Sequence, residues 1–281
     1  MGILLFRAIL APCVVLLVSL AARRLGPRAG GRLLGAPTTT GPFLLLIALG
    51  HGTRVAAGSA HGCIAGQAAV AGFCLGYGRL APRLRPVWTL MAALACAGVA
   101  GVVAASCPDI WLTGAFDVTL VVAGLLTWPA PASDETHDQP AVGTARRWEI
   151  PARMAISGVT VLLAVAIADA AGPFVGGVLS SLPILLAVMI PSIHRSAGSA
   201  AAAQFARGAL TSGLATLGFL LTLAAALEPL GALAAFPLAL AALALADRFV
   251  ARIRTAPETT PVLRRHLAAG THRPGIRAGL Q

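Results

Sequence analysis

Long apolar runs, separated by short clusters of Arg, Gly and Pro, recur along this chain with almost no polar position inside them. A helix needs about 20 mostly apolar residues to cross the roughly 30 Å hydrocarbon layer of a bilayer, and about nine runs approach that length. The predicted helices cover 3–22, 38–52, 57–78, 86–106, 109–130, 151–170, 180–193, 198–226 and 229–250, the second and seventh being short. Gly/Pro-rich turns join them, a polar loop runs from Ser133 to Trp148, and a basic tail begins at Arg252. The pattern predicts an all-α, polytopic transmembrane helix bundle with little mass outside the bilayer.

Composition agrees. Hydrophobic residues make up 57% of the 281 positions and charged residues 11%, which inverts the balance a water-exposed surface requires. The net charge of +11 comes from arginines clustered in loops beside apolar segments, a placement that suits membrane anchoring and speaks against nucleic acid as a partner. Alternate connections carry Arg23, Arg24, Arg28 and Arg32; Arg79, Arg83 and Arg85; Arg146, Arg147 and Arg153; Arg195; and Arg248, Arg252 and Arg254. The opposite set carries only Arg7 and Arg54, together with Asp109, Asp169 and Glu228. Because short basic loops stay in the cytoplasm, the expected orientation in a bacterial inner membrane is N-terminus outside and C-terminus inside. The five cysteines, Cys13, Cys63, Cys74, Cys96 and Cys107, have no metal-binding spacing and read as small core residues.

One motif occurs twice. Gly26–Pro37 and Gly172–Pro183 both read G-P-x-x-G-G-x-L-x-x-x-P, and at a constant offset of 146 the match runs without a gap from Arg7/Arg153 to Phe73/Phe219, with 20 identities in 67 positions. Shared composition would supply only roughly a tenth. Helices one to four thus correspond to six to nine, with helix five as a connector. The expected layout is a first repeat over 1–108, a connector and loop over 109–149, a second repeat over 150–251 and a cytoplasmic tail over 252–281. Equivalent helices lie five spans apart, so the halves would cross the membrane in opposite directions, as in transporters built from inverted repeats. Each half, through its Gly/Pro-rich turn after the first helix, resembles the small four-helix bacterial inner-membrane proteins of the GlpM type. That resemblance implies a four-helix unit and carries no site residues with it.

The repeated turn has a mechanical reading. Pro blocks helix continuation, paired glycines allow close backbone approach, and helices starting near Pro37 and Pro183 would present free N–H groups. Tight interfacial turns with close helix packing explain it equally. Gly31, Gly177, Thr38 and Ser181 are its candidate substrate-binding positions, although capping also accounts for the hydroxyls.

Ionisable residues inside spans are costly and therefore functional candidates. Arg207 and His61 are repeat equivalents and are expected to face one central space; the alternative is a snorkelling arginine and a hydrogen-bonded packing histidine. Asp117, inside helix five, suits a proton carrier or the partner of a buried arginine, or else the cap of a shorter helix. No H-E-x-x-H, G-x-S-x-G or paired-acid motif occurs, and the absence of lysine excludes a phosphate-binding P-loop. No enzyme activity, cofactor or metal is expected.

The expected function is a permease for a small solute or ion, with anions slightly favoured because the embedded charges lean basic. A structural or accessory membrane subunit, or a lipid-modifying enzyme, are the alternatives. The expected partners are the lipid bilayer, the solute and, as an open option, further copies of the chain. Cysteine-accessibility mapping in intact cells should find position 109 reachable from outside and the 133–148 loop only from the cytoplasm; the reverse pattern would overturn this topology.

Overall fold

The computed structural model describes residues 39–128 and 149–255, and the side chains of all of these except 149–154 and 251–255. Every regular element among the described residues is an α-helix: α1 (Thr40–His51), α2 (Thr53–Leu80), α3 (Pro86–Ala105), α4 (Ile110–Leu126), α5 (Glu149–Ala171), α6 (Pro173–Ser180) and α7 (Ile184–Thr255). α7 is broken at Gly198 (φ 87°, ψ 173°) and Gly231 (φ 72°, ψ 168°) into segments 184–197, 199–230 and 232–255. The first predicted helix, Gly31, Thr38 and the segment Gly26–Pro37 lie outside the described residues.

Most expected helices are present, but their junctions differ. Two predicted loops shrink to a single glycine: Gly52 joins α1 to α2 at φ 88°, ψ 168°, and Gly198 does the same within α7. A positive φ lets the chain turn within one residue, a conformation that side-chain-bearing residues rarely adopt. The second Gly-Pro motif is corrected more substantially. Instead of a turn leading to a helix near Pro183, the chain turns at Gly172 (φ 99°), Pro173 starts α6, and Gly176 and Gly177 lie inside that helix. The glycine pair serves packing and the chain turns earlier, because Pro at the first helical position needs no N–H partner.

Two helical stretches are long and apolar enough to cross a membrane, α3 and the run Pro173–Val250. Thr40–His51, Ile110–Leu126 and Ala155–Ala171 are apolar but shorter. Side-chain sizes are sorted in the membrane sense. In α3 the buried positions are Thr89, Ala93, Ala97, Ala100 and Ala104, whereas Val87, Trp88, Met91, Val99 and Val102 are exposed. Small residues inside and large apolar ones outside suit a helix packed on protein on one side and lipid on the other.

α2 is the hub, packing against α1, α3, α4, α6 and α7. Its glycines set how closely. A Cβ at Gly62 would stand 2.0 Å from the Phe174 carbonyl oxygen of α6, and one at Gly66 2.7 Å from the Ser181 Cβ. From the other side, a Cβ at Gly177 would stand 2.1 Å from the Ser59 carbonyl oxygen.

Residues 146 apart occupy like surroundings. Gly72 faces Cys96 and Ala100 of α3, and Gly218 faces Ala242 and Ala246, which lie 146 further along. One core cluster holds Ala56, Ala60 and Ile64 with Leu217, Phe219, Leu220, Leu223 and Leu227. The other holds Ala202, Ala206 and Leu210 with Ala71, Phe73, Cys74, Tyr77 and Ala81. Adding 146 to each α2 residue just named, and to Ala81 just past the end of α2, yields a residue of the other cluster.

Gly62→Ala should lower the stability of the detergent-purified protein by well over 1 kcal/mol, since neither backbone at that contact can yield freely. Gly98→Ala, with nothing within 4 Å of the added methyl, should be neutral or stabilising by up to about 1 kcal/mol. Thermal melts would check both, and equal effects would refute the close-crossing account.

Candidate functional site

The site grows from the place where α2, α4 and segment 199–230 meet. α2 and 199–230 run antiparallel, since Ala56, Ala60 and Ile64 pack with Leu217–Leu227 while Tyr77 packs with Ala202 and Ala206. At their crossing Gln67, itself buried, faces Gly213: a Cβ there would stand 3.4 Å from Gln67 Nε2. These two residues are 146 apart, and in a two-fold-related pair the residue on the axis meets its own equivalent. A narrow crevice at this crossing is lined by Gln67, Ala71, Val121, Leu210 and Gly213 and admits no water-sized sphere.

α4 lies against both helices. Its N-cap is Asp109, whose Oδ1 accepts hydrogen bonds from the Trp111 and Leu112 N–H groups, both at 2.8 Å. Capping fixes where the helix begins, and a carboxylate there suits the positive end of the helix dipole. The cap also settles Asp117. It sits within α4, so it does not cap a shorter helix. One turn before it, Thr113 Oγ1 donates to the Asp109 carbonyl oxygen at 2.8 Å and lies 3.0 Å from His61 Nε2. Because the threonine hydrogen is committed to that carbonyl, His61 Nε2 must be the donor to Thr113, which leaves Nδ1 as acceptor in the neutral ring. His61 also meets Phe174 of α6 edge-on, with centroids 5.2 Å apart.

Asp117 is 0% exposed, and neither carboxyl oxygen has a hydrogen-bond partner among the described residues. The α2 face is parallel to α4 here, with His61 at Thr113 and Leu75 at Gly124. Between these contacts α2 carries the buried Ala65 and Ala68 and the crevice-lining Gln67, none of which bonds the Asp117 carboxyl. A carboxylate charge in such packing costs several kcal/mol unless something compensates it.

The remaining candidates are scattered. Arg207 is exposed and does not meet His61, which bonds to Thr113 instead, so the expected shared space for this pair is not formed. Gly177 is buried in the α6–α2 crossing, where it serves close packing. Ser181 ends α6 and is buried against Gly66; its neighbour Ser180 has its Oγ 3.3 Å from Cys63 Sγ. Polar pairs also mark the two ends of the described helices. His51 Nε2 pairs with Asp169 at 3.0 Å at one end, while Arg79 donates to Thr127 Oγ1, and Tyr77 and His194 hydrogen-bond, at the other. Among the described residues no group of three or more His, Cys, Asp or Glu is placed to hold a metal ion.

Sequence reasoning missed Thr113, Gln67 and Gly213. Their signals were present: Asp109, Thr113 and Asp117 repeat at i, i+4 and i+8, and Gln67 and Gly213 are an offset-146 pair. No known family matches the chain, and neither a curated protein nor a solved structure is similar to it.

Thr113→Val should lower stability by about 1 kcal/mol by leaving the His61 N–H without its acceptor, whereas Thr113→Ser should be close to neutral. Melting curves of the purified variants would check this; equal behaviour of Val and Ser would argue against the His61–Thr113 bond.

Proposed function

We propose that this chain is a multi-pass inner-membrane permease that moves a small solute or ion by alternating access between two inverted halves, 1–108 and 150–251, of about nine spans in all. The observation that carries the reading is the exchange of the two core clusters by the 146 offset across an antiparallel helix pair. The self-facing Gln67/Gly213 pair and the matching backbone at Gly52 and Gly198 support it independently. The separation of His51 and Asp169 from Arg79 and His194 supports an N-terminus outside and a C-terminus inside. The site is the three-helix meeting at Gln67, Gly213 and Asp117. With Arg207 exposed and the buried ionisable group acidic, the preference shifts from anions towards protons and cationic or neutral solutes.

The two halves can be tested without knowing the cargo. Ser181 meets Gly66 so closely that one of the two must lack a Cβ; at the equivalent positions the residues are Gly35 and Ser212, with the glycine moved to the other partner. In a cysteine-free background, the double variant Gly35→Cys with Ser212→Cys should form a disulfide on mild oxidation, since bonding needs Cβ atoms about 3.5–4.5 Å apart. Ala29→Cys with Ser212→Cys should not. Crosslinking of the second pair alone would refute the inverted register. Transport itself is tested by uptake of a solute panel into proteoliposomes with and without a proton gradient. Absence of flux from the reconstituted protein, together with one stoichiometric co-purifying protein, would replace the permease with an accessory subunit.

A further inference from the structure

One face of α4 carries Asp109, Thr113, Asp117 and Val121 at helical spacing, running from an exposed cap to the crevice at the Gln67/Gly213 crossing. Along this face polarity persists while accessibility falls. Asp109 is exposed, His61 beside Thr113 is half-buried, and Asp117 is fully buried with both oxygens unpartnered. The helices packed against α4 are α2, α3 and α7. Their titratable or charged groups that reach it are His61, at Thr113, and Arg79, at Thr127 beyond the far end; neither meets the Asp117 carboxyl. The packing therefore calls for a positive charge that the described neighbouring side chains do not supply. A metal cation would need several oxygen ligands and room for them. A single carboxyl beside a crevice that admits no water-sized sphere offers neither, and a proton needs neither.

We propose that Asp117 is a proton-binding site loaded from the Asp109 end of the molecule through His61, which Thr113 holds in position. The step is a proton transfer: the His61 imidazolium gives up one N–H proton and becomes neutral imidazole, and the Asp117 carboxylate accepts it and becomes a neutral acid. Thr113 lies one helical turn from Asp117, so transfer requires a rotation of the imidazole or a transient water in a more open conformation. His61 and Thr113 act as positioning and relay groups. That this proton drives solute movement rests on the permease reading; the proton site itself does not.

Infrared difference spectroscopy of the full chain in lipid vesicles reads the site directly. A protonated-carboxyl C=O band should be present at neutral pH, disappear in Asp117→Asn and return, shifted, in Asp117→Glu. Transfer to heavy water should move the band, and in His61→Gln that exchange should be roughly tenfold slower or more, the scale of a lost acid–base group. Wild-type labelling at Asp117 by a hydrophobic carbodiimide, located by mass spectrometry, keeps the test valid should Asp117→Asn fail to fold. No such band together with no label, or a band that responds to sodium and not to pH, would overturn the proposal. Exchange unchanged in His61→Gln would overturn the route. The band present without solute flux would reject the permease reading alone, and flux with no protonated Asp117 would reject the proton site alone.

Discussion

Backbone meets backbone where α2 crosses α6, and the arrangement of the other described helices follows from that approach. Gly62 and Gly66 on α2 and Gly177 on α6 leave so little space that an added methyl would fall within 2.0–2.7 Å of its neighbour. Helices in lipid are not driven together by the hydrophobic effect, so close packing must supply the attraction, and small residues permit it. α2 uses further glycines, Gly72 and Gly76, against α3. On the outer faces, Trp88, Val102, Leu233 and Phe249 are exposed.

The same hub organises the site. Because α2 runs antiparallel to 199–230, the first part of each of these helices packs with the later part of the other. The crossing between the clusters is where two-fold-related helices must place a self-facing pair, and Gln67 and Gly213 are placed so. α4 has no equivalent among the described residues and lies to one side of this crossing. Its polar face runs from Asp109 through Thr113 to Asp117. On the permease reading proposed above, a buried carboxyl on this helix is where an ion would couple to the movement of the two halves.

The all-helical character was legible because apolar run length acts locally along the chain, and most predicted segments recur as helices among the described residues. The sequence could not place α6 as a helix. Gly-Pro-x-x-Gly-Gly reads as a turn in isolation, and only contact with α2 reveals that Gly176 and Gly177 are there to be close to something. Arg207 and His61 were paired by their sequence equivalence, yet a two-fold relation sends equivalent residues towards opposite ends unless they lie near the axis. Gln67 and Gly213 do lie there, and neither is conspicuous by residue type.

The sequence by itself therefore determined most of the helical segments and the burial-averse character of Asp117, while the single-residue breaks at Gly52, Gly198 and Gly231 came from the structure. Only the tertiary structure decided that Asp117 has no partner among the described residues, that His61 belongs to Thr113, and that Arg207 is exposed. The physical reason is that composition and periodicity act through neighbours one turn away. What a buried charge can pair with depends on helices brought beside it from elsewhere in the chain.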